Sequence, residues 1–249
     1  MPTDFSIESI LRTDKEAGNE QQEQEHRLAS SSWQEKEGIK LRLDGAALWR
    51  RFHALGTEMI VTKSGRRMFP TLAVSVADLS PSASYSLMVD LNPVDKKRYR
   101  YSFHQSKWIA TGPGEAELPS RVFVHPDSPA NGLHWMRSSV SFDKIKLTNN
   151  QLDQSGHIIV NSMHRYRPRI HVLKHDEPGS TQVFEFPETT FIAVTAYQNH
   201  RITSLKIESN PFAKGFRECE LDDPRLLTFL LPFYGLSLPL TNTTQSNNK

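Results

Sequence analysis

The 249-residue chain holds a single cysteine, Cys219. It therefore closes no internal disulfide and builds no zinc cluster from thiolates, and it fits a reducing compartment. Long apolar runs are also missing. The most apolar window, Leu226 to Leu240 (LLTFLLPFYGLSLPL), falls short of the roughly 20 residues a membrane-spanning helix needs and is broken by Pro232, Gly235 and Pro239. We read it as a peptide that docks on the domain or on a partner, and expect no membrane association. The N-terminus lacks a charged region followed by an apolar run, so no secretory signal is expected. Without a secretory route the sequon Asn242-Thr243-Thr244 carries little meaning. Catalytic spacing is absent as well. His157, His164, His171 and His175 share neither a strand face nor a helix face, and no HExxH-type or CxxC-type pattern accompanies them. The expectation is a protein that is not an enzyme and needs no metal or cofactor. No internal repeat is present.

What the chain does have is an uneven distribution of charge. Residues 1–37 carry 9 acidic and 4 basic groups, residues 38–217 carry 15 and 24, and residues 218–249 carry 4 and 2. A basic middle between acidic ends fits a polyanion-binding domain, although a solvated surface of mixed charge produces the same count. With 37% hydrophobic residues, the length supports one sizeable core with polar ends. The expected division is an acidic tail over 1–37, a domain over 38–218 and a short tail over 219–249. Between Arg12 and Glu37 the run of Glu, Gln, Ser and Asn reads as disordered. Within that tail Phe5, Ile7, Ile10 and Leu11 form an apolar island, suited as a helix to laying one face in a groove.

Inside the domain, Asp44 is placed to cap a helix through about Leu55, with Leu48, Phe52 and Leu55 on one face and Gly56 as its stop. Beyond it come many short runs of β-branched and aromatic residues, punctuated by Gly, Pro and Asn. They read as strands of an all-β sandwich, the last of them expected over Arg201 to Ile207. Lys63-Ser-Gly-Arg-Arg67 is expected as a hairpin with Gly65 at its turn. Lys96-Lys-Arg-Tyr-Arg100 reads as a solvated hairpin tip or a nuclear-import signal. After Ile207 the chain turns at Ser209-Asn210-Pro211, where Asn or Ser can cap a helix and Pro suits its first position. A short basic helix would place Phe212 and Phe216, four residues apart, on one face.

Several stretches together resemble the T-box family of transcription factors. They are Glu58-Met-Ile-Val-Thr-Lys-Ser-Gly-Arg-Arg-Met-Phe-Pro70, Val124-His-Pro-Asp-Ser-Pro129, His134-Trp-Met136, Val140-Ser-Phe142, Lys146-Leu-Thr-Asn149, Tyr166-Arg-Pro-Arg-Ile-His171, Phe191-Ile-Ala-Val-Thr-Ala-Tyr-Gln-Asn199 and Asn210-Pro-Phe-Ala-Lys-Gly-Phe-Arg217. They occur in the family's order over most of the chain. The resemblance implies an immunoglobulin-like, p53-like β-sandwich with a short N-terminal helix and a C-terminal helix that contacts DNA. It implies a nuclear, sequence-specific transcription regulator bound to double-stranded DNA at T half-sites (GGTGTGA-like), in developmental gene control.

Arg66 and Arg67 then become the major-groove residues, one fork reading guanine and the other a phosphate, in an order the sequence leaves open. Pro211, Phe212, Ala213 and Phe216 become the minor-groove contacts, since small and apolar residues permit close approach. Thr195, Gln198, Lys206, Lys214 and Arg217 become phosphate contacts, while Tyr197 is expected as a core or sandwich-edge tyrosine with its hydroxyl satisfied. Phe5-Ser-Ile-Glu-Ser-Ile-Leu11 resembles the F-x-I-x-x-I-L repression motif, implying a Groucho-type co-repressor as partner. A homodimer on paired half-sites is a further implied partner. The rival reading is an immunoglobulin-like interaction module whose basic face binds an acidic protein.

Overall fold

The computed structural model describes residues 33–177 and 179–216, with the backbone alone for 214–216. Phe5, Ile7, Ile10, Leu11, Arg217 and the 226–240 run lie outside the described residues, as do the side chains of Lys214 and Phe216.

Period-2 burial sets the architecture. Strand β2 (Ile39–Leu43) turns Ile39, Leu41 and Leu43 inward, and β5 (Ala73–Ala77) does the same with Val74 and Val76. The two pair antiparallel, with β1 (Gln34–Lys36) beyond β2 and β11 (Val140–Ser141) beyond β5. The larger sheet runs in the order β10 (Ala130–Asn131), β6 (Ser84–Pro93), β14 (Arg165–Lys174), β16 (Phe191–Val194) and β3 (Glu58–Ile60). Strands β9 (Phe123–Val124) and β15 (Thr181–Glu185) add to β6 and β14. Leu41 and Val74 from one sheet, and Leu87, Val89, Ile170, Val172 and Phe184 from the other, belong to one buried apolar cluster. The chain is thus a β-sandwich, as its strand pattern indicates.

The outer face of the large sheet is tied by charge. Asp90 sits directly opposite Arg169 in the β6–β14 register and accepts from its Nε at 2.9 Å and from His171 Nε2 at 3.0 Å. Burial alone would raise the Asp90 carboxyl, but these two partners outweigh it and hold it at about 2.

Among the described residues, three α-helices decorate the sandwich. Helix α1 (Ala46–Leu55) ends at Gly56 in the left-handed region, as its sequence signals. Its start differs from expectation: Gly45 occupies the cap and no side chain caps it. The Asp44 carboxylate accepts instead from Ser75 Oγ at 2.7 Å and Ser139 Oγ at 2.5 Å, tying the helix entrance to the first sheet. The short α2 (Gly132–Arg137) buries Trp135, whose indole N–H reaches the Tyr85 and Ala130 carbonyls.

The segment expected as a strand over 201–207 is helical, α3 (His200–Ser209), capped by the Asn199 side chain accepting from Arg201 N. The alternation of Leu205 and Ile207 is misleading there, because the buried positions are Ile202, Leu205 and Lys206, a helical spacing. Strand β7 (Lys97–Ser102) carries most of the 96–100 basic cluster and pairs with β8 (Lys107–Pro113). Strand β8 gives little sign of itself in the sequence, since its residues are mostly exposed and carry no alternating apolar signal.

Candidate nucleic-acid interface

The two arginines sit on β4 (Arg66–Arg67), and the expected hairpin is not how they are held. Strand β4 pairs with β12 (Lys146–Thr148), with Arg67 opposite Lys146 and Arg66 opposite Leu147. Strand β13 (Ile158–Ile159) closes that small sheet on its other side. The preceding loop is braced by Thr148, wholly buried, whose hydroxyl donates to the Thr62 carbonyl at 2.8 Å and the Lys63 carbonyl at 3.2 Å. Gly65 is required twice over. Its φ is 80°, and a Cβ would stand 2.7 Å from the ring of His157. That ring is itself fixed by Asp153 at 2.9 Å. The Arg67 guanidinium lies 3.9 Å from Asp143, both side chains mostly exposed. Such a pair contributes little and yields readily to a stronger anion.

The C-terminal elements approach the same place. Asn210 caps the turn that succeeds α3, its Oδ1 accepting from Phe212 N at 3.0 Å, and Pro211 opens it as the sequence indicates. The turn is a 3-10 helix over Pro211–Phe216 rather than an α-helix. At about three residues per turn, positions four apart are rotated by roughly a third of a turn. The premise that Phe212 and Phe216 share a face therefore does not carry over. Phe212 is 92% exposed while Ala213 is buried. Arg66, Arg67 and Lys146 on one side, and Thr203, Ile207 and Phe212 on the other, line one cleft of about 1100 Å³. Lys146 does not stand out as a site residue in the sequence. It lies in the Lys146-Leu-Thr-Asn149 stretch, but only the strand register reveals that it stands beside Arg67.

Beneath the cleft lies a polar latch. Glu58 is fully buried on β3. Its Oε1 accepts from Trp108 Nε1 at 3.1 Å and Asn199 N at 3.1 Å, and its Oε2 from Gln198 N at 2.8 Å. Burial pushes this carboxyl up to about 7, against the pull of those N–H groups and of Lys206. The Lys206 ammonium donates to the Glu58 carbonyl at 2.6 Å and stands 4.7 Å from the Tyr197 ring centroid. Burial drives it down to about 7 while Glu58 opposes that shift.

Lys206 is thus a correction to the expected phosphate contacts. An ammonium turned inward onto a carbonyl and an aromatic face is anchored in the fold, and bringing it back to a surface phosphate would break both contacts. Tyr197 packs between the two small apolar clusters at this end. Thr195 is exposed and Gln198 half-buried, and neither lines the cleft. Ala213, expected against DNA, faces inward.

The four histidines each have separate work: His157 on Asp153, His164 accepting from Glu115 N, His171 on Asp90 and His175 on Ser86. Among the described residues no cluster of His, Cys, Asp or Glu could hold a metal ion, and no helix is long and apolar enough to cross a membrane.

A family model described as T-box matches residues 41–218. The chain is 72% identical over 183 residues to the T-box transcription factor mls-1 of Caenorhabditis elegans, covering 74% of this chain and 73% of that protein. It is 52% identical over 223 residues to T-box transcription factor TBX1 of Danio rerio, covering 84% of this chain and 48% of that one. It is also 52% identical over 224 residues to T-box transcription factor TBX5 of Homo sapiens, covering 87% and 42%. The chain thus spans about three quarters of the worm relative and less than half of these two vertebrate ones. Proteins of this kind are DNA-binding regulators of transcription, not enzymes, and the sandwich is their immunoglobulin-like, p53-like fold. On the family model and these identities, the chain belongs to the T-box family.

Proposed function

We propose that this protein is a nuclear regulator that binds double-stranded DNA at T half-sites (GGTGTGA-like) and represses developmental genes. The observation that supports it most is the single cleft bordered by the arginine strand and by an exposed phenylalanine on the C-terminal turn. Arg66 and Arg67 address the major groove, one on a base and one on a phosphate. Pro211, Phe212 and Phe216 address the minor groove, with Thr195, Gln198, Lys146, Lys214 and Arg217 as phosphate contacts. Two copies bind paired half-sites.

A mobility-shift titration at rising salt, on a T half-site duplex and a scrambled one, tests the reading. The expected result is preference for the T site, with affinity falling steeply as salt rises, roughly one counterion released per phosphate contact. Equal affinity for the two duplexes would instead favour an immunoglobulin-like module that binds acidic partners.

Phe212→Ala is expected to weaken binding roughly tenfold, the value of burying one aromatic ring at about 1.5 kcal/mol. The melting temperature should stay unchanged, because the ring is 92% exposed in the free protein. An unaltered dissociation constant would remove this ring from the interface.

Repression is assigned to Phe5, Ile7, Ile10 and Leu11, which dock on a Groucho-type co-repressor. Phe5→Ala with Ile7→Ala is expected to abolish co-repressor pull-down and leave DNA affinity intact. Surviving pull-down would refute the assignment.

A further inference from the structure

The cleft has a floor as well as a cationic rim. Half-buried Leu48 and Phe69 line it behind the arginines, over buried Trp49, Met59 and Met68 and opposite Ile207 of α3. A cleft of about 1100 Å³ accommodates several peptide side chains. DNA accounts for the rim, since phosphates and base edges match guanidinium and ammonium groups. It does not account for the depth of apolar floor behind them.

The described chain leaves the domain at this same cleft, with Pro211, Phe212 and Ala213 on its lining. The sequence beyond Arg217 is complementary to the cleft, first to its rim and then to its floor. Glu218, Glu220, Asp222 and Asp223 place four carboxylates within six residues, and Leu226 to Leu240 runs on without a single charge. Nine residues separate Phe216 from Leu226, and the ten steps between them, fully extended, reach up to about 35 Å, so the tether does not limit access.

We propose that residues 218–240 fold back onto this cleft when DNA is absent. The four carboxylates meet Arg66, Arg67 and Lys146, and apolar side chains of the 226–240 run enter the floor. The tail thereby competes with DNA for the same rim. This inference rests on the reading of the cleft as the DNA interface. Asp143, which already lies 3.9 Å from Arg67, is the acidic group the tail carboxylates displace. Ordering the tail costs conformational entropy. A short tether offsets that cost by holding the tail at an effective concentration on the order of millimolar. The contact is therefore reversible, and DNA overcomes it.

The test uses the full chain. A nitroxide on Ser237→Cys, in a Cys219→Ser background, carries the only thiol. In DNA-free protein it should strongly broaden the Trp49 indole N–H resonance and the Met59 and Met68 methyl signals. Saturating T-site duplex should restore them. In parallel, the variant Glu218→Gln, Glu220→Gln, Asp222→Asn, Asp223→Asn should lose the broadening and bind the duplex roughly tenfold more tightly. Absence of broadening in a chain that binds the duplex overturns the docked tail, whatever the affinities. Broadening that survives duplex saturation, or unchanged affinity in the neutralised variant, overturns the competition. Failure of the wild-type chain to prefer the T site over a scrambled one would instead sink the DNA interface itself.

Discussion

Replacing Arg66 and Arg67 together by alanine is expected to lower affinity for a T half-site duplex by two orders of magnitude or more. One bidentate arginine–guanine contact discriminates by about 1–3 kcal/mol. A second guanidinium on phosphate adds a charge-assisted bond and releases a counterion. The loss should fall mainly on binding. Arg67 is tied only loosely to Asp143, and β4 is held through backbone pairing to β12 and the Thr148 braces, none of which uses the arginine side chains. The single variants Arg66→Lys and Arg67→Lys then separate the roles, because lysine keeps the charge and loses the planar fork. At the base-reading position, lysine should collapse the preference for the T site over a duplex with its guanines replaced. At the phosphate position it should leave that preference nearly intact. Fluorescence anisotropy on the two duplexes measures both. If neither variant alters the preference, β4 does not read sequence.

Glu58→Gln is expected to produce the largest loss of stability, about 2–3 kcal/mol. Both carboxyl oxygens accept N–H groups, two at Oε1 and one at Oε2. A protonated carboxyl oxygen still offers a lone pair, but an amide nitrogen offers none, so one buried donor is left facing another. For a domain of this size that lowers the melting temperature by roughly 5–10 °C. The deficit should also depend on pH. Burial raises the Glu58 carboxyl from 4.5 to about 7. Between those values the folded domain holds a proton that the unfolded chain has released, so wild-type stability falls as pH rises through the window. The Gln variant has no such titration, and its deficit therefore narrows from pH 5 towards pH 7.

Lys206 acts in the opposite sense. Burial lowers it from 10.5 to about 7, so the unfolded chain keeps a proton the folded domain has lost. Its contribution recovers as pH rises above 7. Lys206→Met should abolish that upper limb and, by removing a cation that pulls the Glu58 carboxyl down, move the lower limb to higher pH. Chemical denaturation across pH measures both limbs, and a Gln variant as stable as wild type at pH 5 would refute the latch. Gln198 and Asn199 lead into α3, so loosening Glu58 should also displace the wall of the cleft.

The order of the family stretches, the alternation along β5 and β14, the stop at Gly56, and the Asn210-Pro211 start are legible because each depends on neighbours within a few residues. Sequence misleads where partners are distant. Arg201 to Ile207 reads as a strand, since its alternate apolar residues fit either period until the surface it packs on is known. Arg66 and Arg67 look like hairpin residues, because nothing local reveals that β4 pairs with Lys146–Thr148 across about eighty positions. Lys206 looks like a surface cation, and no local pattern marks a lysine whose ammonium is satisfied by the Glu58 carbonyl and the Tyr197 ring.

By itself, the sequence determined the family, the β-sandwich and the residue types available for DNA, because periodicity, turn chemistry and charge are properties of short windows. Tertiary structure alone decided which cations face outward, that the arginine strand and the exposed Phe212 border one cleft, and that a buried carboxylate latches its wall. Those outcomes depend on desolvation and hydrogen-bond partners that chain folding brings together from far apart.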